Sequence, residues 1–521
     1  MPKHRDVPSL KNLSLKSIGS MVVFMAPPII SNIQVYNEPQ KIISSLQKSL
    51  DWLNKLLASH VPYYLYDTMA VEVLNSVKAL IERTKKTYYP HTSMSAFLTE
   101  MNVVVSLTEV VLNAQLKHID FSEWPKIMRY VLFKNLNKMT GLETLNLGSC
   151  ASGWWTSEYD KCLFDGVAGM KYLKSLCLCF DSNDVIVQVV GENCLNIQSL
   201  DLTSSRSVTD RCIPFLLKCR NLRELYLHRT SVSIVGHAQL IASLPKLEDI
   251  GRCDEFGSII NNLHHNYYPS HGTFRLRKIQ TRDLSTENLR LFVEMFPKVE
   301  YISLFHDMQI SDLTVLTSLN NLRELKLLSC AFYGDYLKQL LEIRGSNLIS
   351  LHLEHVEEMD FKVLIDISQY CPKLKSLVFY NCDFINTVTL PCEKIKVPFL
   401  NLERIFWVVD SAINHLEFIL SHALNIQYIH LGSSTGITHS AVVNILNVNP
   451  MRHLKEFRVL YSSDMNMRTV ELLLASCTNL SVLSELESWQ GISIEELKIF
   501  KNHIYSNNFD LDIRPTLSFT T

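Results

Sequence analysis

A short hydrophobic pattern recurs along most of the chain. In the segment LRELYL, leucines at Leu222, Leu225 and Leu227 alternate with polar or aromatic residues. The same LxxLxL spacing, with other apolar residues in some copies and weaker matches at Leu116, Leu247, Leu276 and Leu480, begins fifteen times between Leu116 and Leu480, which is 364 residues over fourteen steps, a mean of 26. The fifteen starts are Leu116, Leu142, Leu173, Ile197, Leu222, Leu247, Leu276, Val299, Leu322, Leu348, Leu374, Leu402, Ile426, Leu454 and Leu480.

The spacing predicts a strand in each copy. Successive side chains of a strand point to opposite faces, so Leu225 and Leu227 are expected in the core and Tyr226 on the other face. A stretch with helical periodicity follows each strand, and Ser311-Asp312 and Thr438 are predicted helix caps. A period near 26 is typical of leucine-rich repeats, which bury their apolar faces by stacking. We therefore predict an α/β leucine-rich-repeat solenoid, with a curved parallel sheet on the inner face, helices on the outer face and an N-terminal helical segment.

The repeat does not extend to the two ends of the chain. Residues 1–115 lack it but contain helical patterns, and the exposed end of a repeat stack needs a cap. We expect a box-like helical segment at 1–40, a helical linker or cap at 41–115, repeats at 116–490 and a C-terminal cap at 491–521.

Composition narrows the class of protein. Hydrophobic residues make up 47% and charged residues 20%, which excludes a disordered chain. The 50 basic and 52 acidic residues give a net charge of −2 without a basic tract, so no nucleic-acid partner is expected. No uninterrupted apolar run reaches membrane-spanning length, so no membrane association is expected either.

The apolar run from Met21 to Ile30 raises the question of secretion, because the basic residues Lys3 and Arg5 precede it. Asp6 and two prolines interrupt this signal-peptide pattern, and the thirteen cysteines are odd in number. We expect a cytoplasmic location, with the nucleus as the alternative and free thiols in both cases.

Cysteines recur at fixed positions of the repeats. The segment CPKLKSLVFYNC, from Cys371 to Cys382, reads CxxLxxLxFxxC. This pattern resembles the cysteine-containing leucine-rich repeats of many ubiquitin-ligase substrate receptors. We expect most of the cysteines to be small buried apolar side chains. A zinc site or disulfide from cysteines eleven residues apart is the alternative.

The opening segment SLKNLSLKSI carries a second resemblance. It resembles the box that binds Elongin C, with Ser9, Leu10 and Ile18 at matching positions and Ser14 where that family has cysteine. The resemblance implies adaptor binding by Leu10, Leu13, Ser14 and Ile18, through a helix lying in a groove. The alternative is that these residues pack on the chain's own repeats.

Downstream, the segment APPIISNIQ resembles a cullin box. Pro27 and Ile30 match, while Gln34 stands where an apolar residue is typical. The resemblance implies that Pro27 and Ile30 also contribute to adaptor binding. The nearest competing pattern is the F-box, which also has a proline-led helix and often precedes this repeat type, but no complete F-box pattern is present.

The outward strand positions are rich in aromatic and ionisable residues. Aromatic side chains provide large contact areas at little entropic cost, so we expect a partner-binding surface here. The alternative is that the β-propensity of tyrosine and phenylalanine accounts for them. The expected partner-binding residues are Tyr226, His228, Tyr301, Phe305, His352, Tyr380, Phe406, Tyr428, His430 and Arg458.

No P-loop or HExxH motif is present, and we expect no enzyme activity, no cofactor and no metal site. The leading hypothesis is a substrate-recognition subunit of a cullin-RING ubiquitin ligase, with Elongin C, a cullin and an unidentified protein target as partners. The alternatives are a leucine-rich-repeat scaffold or inhibitor with no ligase link, and a secreted recognition protein.

Overall fold

A computed structural model describes residues 3–87, 93–122, 124–148, 157–180, 182–268, 272–282, 284–305, 310–385, 399–410 and 412–515. Within these residues, fifteen strands form one parallel sheet in chain order. They are β1 (His118–Asp120), β2 (Thr144–Asn146), β3 (Ser175–Cys177), β4 (Ser199–Asp201), β5 (Glu224–Tyr226), β6 (Asp249–Cys253), β7 (Lys278–Arg282), β8 (Tyr301–Phe305), β9 (Glu324–Leu328), β10 (Ser350–Glu354), β11 (Ser376–Tyr380), β12 (Arg404–Val408), β13 (Tyr428–Leu431), β14 (Glu456–Val459) and β16 (Val482–Ser484). Strands β15 (Ser462–Asn466) and β17 (Trp489–Gly491) form a separate parallel pair.

The strands confirm the predicted repeat. Each of the fifteen begins two residues after a predicted start, as β5 does after Leu222. Leu225 and Leu227 are buried, whereas Tyr226 between them is half-buried on the opposite face. The chain is therefore a leucine-rich-repeat protein of the α/β class.

Helices connect most of the strands. Asp312 and Thr438 accept hydrogen bonds from the first turns that follow them, as predicted. The α-helices in the described residues are α1 (Leu10–Phe24), α2 (Ala26–Gln34), α3 (Pro39–His60), α4 (Tyr66–Thr87), α5 (Met94–Ser106), α6 (Lys126–Lys134), α7 (Ser157–Gly169), α8 (Asp184–Asn193), α9 (Ile213–Leu216), α10 (Ile234–Ser243), α11 (Phe256–Asn266), α12 (Thr286–Met295), α13 (Leu337–Arg344), α14 (Phe361–Tyr370), α15 (Ile413–His422), α16 (His439–Val448), α17 (Met467–Ser476) and α18 (Ile494–Ser506).

The chain divides into two compact units, residues 8–251 and residues 1–7 with 252–521. In the first, the amino-terminal unit, α1 packs on α4 through Gly19. A Cβ at Gly19 would lie 3.2 Å from the carbonyl oxygen of Glu72 and would collide with the hydroxyl of Ser76. The missing side chain therefore lets the two helices approach closely.

The helical segment of this unit also reaches the first strand of the sheet. Asp67 at the start of α4 accepts a hydrogen bond of 2.8 Å from the backbone N–H of Lys117, next to β1. An outermost strand has backbone donors without a neighbouring strand. The Asp67 carboxylate accepts a hydrogen bond from one such donor.

The second, carboxy-terminal unit has an aromatic core. Trp407 on β12 is fully buried, and its ring centroid lies 5.1 Å from those of Phe379 and Phe384. At the last strand of the sheet, Asp512 exchanges backbone hydrogen bonds with Ser481 and Leu483. Residues 3–5 pair with the segment after α18 in the same unit, as shown by the 2.9 Å bond from Arg5 N–H to the Asn508 carbonyl.

Within the part of the chain that the structure describes, two helical stretches, Leu10–Gln34 and Met94–Val111, have the length and apolar composition of a membrane span. The expectation from uninterrupted apolar runs missed them, because polar residues interrupt both stretches and Pro27 and Pro28 lie within the first. Composition and length are weak indicators, since buried helices and signal sequences have the same properties. Val103 and Val104 of the second stretch are buried within the protein.

Candidate interaction surfaces

Helix α1 has two apolar faces with different environments. Its N-terminus is capped by Ser9, whose hydroxyl accepts a 3.2 Å hydrogen bond from the N–H of Asn12. Leu15 and Val22 are buried on the side of Gly19. On the opposite side lies a stripe of exposed apolar side chains, which we call the α1 stripe. It consists of Leu10, Leu13, Met21 and Phe24.

The exposed face includes the first three predicted adaptor-binding residues. Leu10 is 80% and Leu13 47% exposed, and Ser14 is exposed beside them. At about 3.6 residues per turn these positions share one side of the helix. Ile18 is half-buried at the edge of this side. The adaptor-box hypothesis requires an accessible face, and the packing of α1 leaves one.

The two residues of the cullin-box resemblance lie on α2. Pro27 is exposed and Ile30 is half-buried, whereas Ile29 and Ile33 are buried. Helix α2 thus packs within the protein through Ile29 and Ile33. The resemblance implies a different pair, Pro27 and Ile30, for adaptor binding.

All ten predicted partner-binding residues of the sheet are half-buried, on the face opposite the buried strand residues. We call this face the inner face. Strand register aligns four of them, His352, Phe406, His430 and Arg458, in one row across β10 to β14.

The other six occupy different rows or the other unit. Tyr301 and Tyr428 lie in the preceding inner-face row, and Phe305 and Tyr380 in the following one. Tyr226 and His228 belong to the amino-terminal unit.

A polar cluster forms at one end of the aligned row. The imidazole of His430 lies 2.6 Å from the Glu456 carboxylate, which also contacts the guanidinium of Arg458. Burial lowers the pKa of His430, and the Glu456 carboxylate opposes this effect. The cluster fixes the positions of three ionisable side chains on the inner face.

A second cluster surrounds His352. The carboxylate of Glu354 lies 3.5 Å from both the Lys326 ammonium and the Nε2 of His352. Burial, reinforced by the charge of Lys326, lowers the pKa of His352 to about 4. His352 is therefore a neutral imidazole at neutral pH, despite the carboxylate beside it.

Aromatic side chains of the inner face lie beside cations. The guanidinium carbon of Arg282 lies 4.0 Å from the ring centroid of Phe305, and that of Arg404 lies 4.9 Å from the ring of Tyr428. In the other unit, the hydroxyl of Tyr226 donates a 3.3 Å hydrogen bond to Asp249. These contacts restrict the aromatic side chains before any partner binds.

Sequence reasoning missed the partners of these residues. Lys326 and Glu456 were not among the predicted site residues, nor was the group formed by Cys177 on β3, Cys179 just after it and Asp201 on β4. The sequence did contain a signal for these contacts. An ionisable residue at an inner-face position is followed, about one repeat later, by a second ionisable residue. Asp201 follows Cys177 by 24 residues, and Glu456 follows His430 by 26.

The eleven cysteines in the described part of the chain are all free thiols. Cys371 and Cys382 are buried, and burial raises the pKa of the first to about 12 and of the second to about 11. Such thiols behave as small apolar side chains.

No protein-family model and no curated protein matches this sequence. Among the solved structures that show a distant likeness are the following three. The LRR protein LIC12759 of Leptospira interrogans is 14% identical, with a TM-score of 0.37 over 77% of this chain and 95% of that one. The TLR13–ssRNA13 complex gives 12% identity and a TM-score of 0.35, covering 73% and 62%. The complex of Rad7 and Elc1 in yeast gives 16% and 0.41, covering 87% and 94%. These TM-scores are too low to support an inference about this chain. The fold assignment comes from the chain's own strands and helices.

Proposed function

We propose that this chain is a non-enzymatic substrate-recognition subunit of a cullin-RING ubiquitin ligase. The α1 stripe would bind Elongin C, and the inner face of the sheet would hold the target protein. The proposal includes the cytoplasmic location that the sequence favours. Its principal support is the exposure of Leu10 and Leu13 on a helix whose opposite face is buried.

The exposure of leucine side chains to water is unfavourable in free energy. Burying a leucine side chain contributes about 1.5–3 kcal/mol, so a helix that leaves two of them exposed gains by binding a groove. The spacing of Leu10 and Leu13 suits helix-in-groove recognition. The resemblance of the segment to an Elongin C box supports Elongin C as the protein that provides the groove.

The test is retention of Elongin C by the full-length protein. We expect Leu10→Glu and Leu13→Glu to abolish retention while leaving the melting temperature unchanged, because both side chains are exposed. The matched control is Val235→Glu on α10, an apolar residue that is 58% exposed and lies outside the box; it should retain Elongin C.

Ser14→Cys sharpens the test. It restores the family residue and removes a hydroxyl from an apolar contact, which is worth about 1 kcal/mol, or several-fold in affinity. A parent protein that fails to retain Elongin C where a control receptor does would overturn the ligase proposal. Capture of other proteins through the inner face would then favour the scaffold alternative.

A further inference from the structure

Two thiols and a carboxylate meet on the inner face of the amino-terminal unit. In the segment LCLCF, Leu176 and Leu178 are buried in the core, so Cys177 and Cys179 both fall on the opposite face. Asp201 is the residue of β4 that pairs with Cys177. All three side chains are half-buried.

The three donor atoms form a compact triangle. The two Sγ atoms are 3.4 Å apart, and Asp201 Oδ2 lies 3.6 Å from the Cys177 sulfur and 3.2 Å from the Cys179 sulfur. With Zn–S bonds of about 2.3 Å and Zn–O of about 2.0 Å, a tetrahedral ion holds two sulfurs about 3.8 Å apart and a sulfur and an oxygen about 3.5 Å apart. The triangle thus has nearly the dimensions of one face of such a coordination sphere.

A backbone contact orients the carboxylate. Oδ1 of Asp201 accepts a 2.9 Å hydrogen bond from the N–H of Thr203, which leaves Oδ2 toward the sulfurs. Contacts of this kind fix ligand geometry at metal sites. The Cys177 sulfur, burial and the Asp201 charge together raise the pKa of the Cys179 thiol. A bound cation would reverse this effect by stabilising the thiolate.

We propose that Cys177, Cys179 and Asp201 bind a zinc ion, with water or a partner's side chain as the fourth ligand. Thiolate donors select zinc over magnesium or calcium. Among the described residues, these three alone form a group of His, Cys, Asp or Glu donors within 4.8 Å of one another. A three-ligand site leaves one exchangeable position. Each thiol that binds as a thiolate releases one proton to solvent, so affinity should rise with pH.

The test is a Co²⁺ titration of the chelator-treated, reduced full-length protein. We expect one ion per chain, with thiolate-to-cobalt absorption in the near ultraviolet that Zn²⁺ abolishes. Cys177→Ser, Cys179→Ser and Asp201→Asn should each weaken binding at least ten-fold. Cys162→Ser, which changes a half-buried cysteine on α7 outside the group, is the matched control and should bind as the parent does.

A second measurement needs no variant. Zn²⁺ should slow the alkylation of Cys177 and Cys179 by iodoacetamide, followed by peptide mass, and leave the rate at Cys162 unchanged. Absence of the thiolate absorption, equal affinity in all four variants, or alkylation rates that Zn²⁺ does not alter would each overturn the proposal.

Discussion

The Nε2 of His430 on β13 lies 2.6 Å from Oε1 of Glu456 on β14, and this contact joins two adjacent repeats on the inner face. The Glu456 side chain is only 15% exposed and also contacts Arg458. A carboxylate in this position accepts hydrogen bonds from two neighbours while largely shielded from water. Such charge-assisted bonds are stronger than those between neutral groups.

We therefore expect Glu456→Gln to lower the free energy of unfolding by about 1–3 kcal/mol. Combined with His430→Gln in a double-mutant cycle, it should show a coupling energy of about 0.5 kcal/mol or more, measured by urea denaturation. The matched control is Glu403→Gln. Glu403 forms an exposed pair with Lys375 across adjacent repeats, and its loss should change stability by at most about 0.5 kcal/mol. Zero coupling between His430 and Glu456 would contradict the role assigned to their contact.

The close crossing of α1 and α4 gives a second prediction. Alanine is favoured over glycine inside a helix by about 1 kcal/mol, so Gly19→Ala would stabilise an unconstrained α1. Here the added Cβ meets Ser76 and the Glu72 carbonyl oxygen, and we expect a net loss of about 1–3 kcal/mol because the contact is overpacked. Thermal melting measures the difference.

The control for Gly19→Ala is the double variant with Ser76→Ala. Removing the Ser76 hydroxyl makes room for the new Cβ, so the double variant should recover most of the lost stability. Ser76→Ala alone should be close to neutral. A Gly19→Ala protein more stable than the parent would contradict the close approach of α1 and α4 at this position.

The third prediction concerns pH and His352. Its pKa is about 4 in the folded protein, against 6.5 ordinarily. Between these values the unfolded chain binds more protons, so the contribution of His352 to stability falls as the pH falls through this window. From pH 7 to pH 5 we expect the parent to lose about 2 kcal/mol relative to His352→Gln. The midpoints of urea denaturation at the two pH values provide the measurement.

The sign of this pH effect shows which influence on the His352 imidazole is stronger, the Glu354 carboxylate or burial together with Lys326. If the Glu354 carboxylate outweighed burial and Lys326, the imidazole would be charged in the folded state and the parent would gain relative stability as the pH fell. The matched variant His453→Gln, which changes an exposed imidazole, is measured at the same two pH values.

The sequence by itself determined the repeat and its strands. The starts at Leu222 and fourteen other positions predict every strand of the large sheet, because the LxxLxL spacing makes alternate residues buried whatever their neighbours are. The same alternation places Tyr226 and His430 on the inner face. These properties depend on residues within one repeat, so they recur in every repeat.

Only the tertiary structure decided which of those residues meet. The number of residues from one repeat to the next varies. The residue that lies beside Cys177 or His430 therefore depends on strand register, which cannot be read from a single repeat. For the same reason the sequence left two environments open for α1. Packing on α4 buries Leu15 and Val22 and leaves Leu10 and Leu13 exposed, because an amphipathic helix contacts its neighbour with only one of its sides.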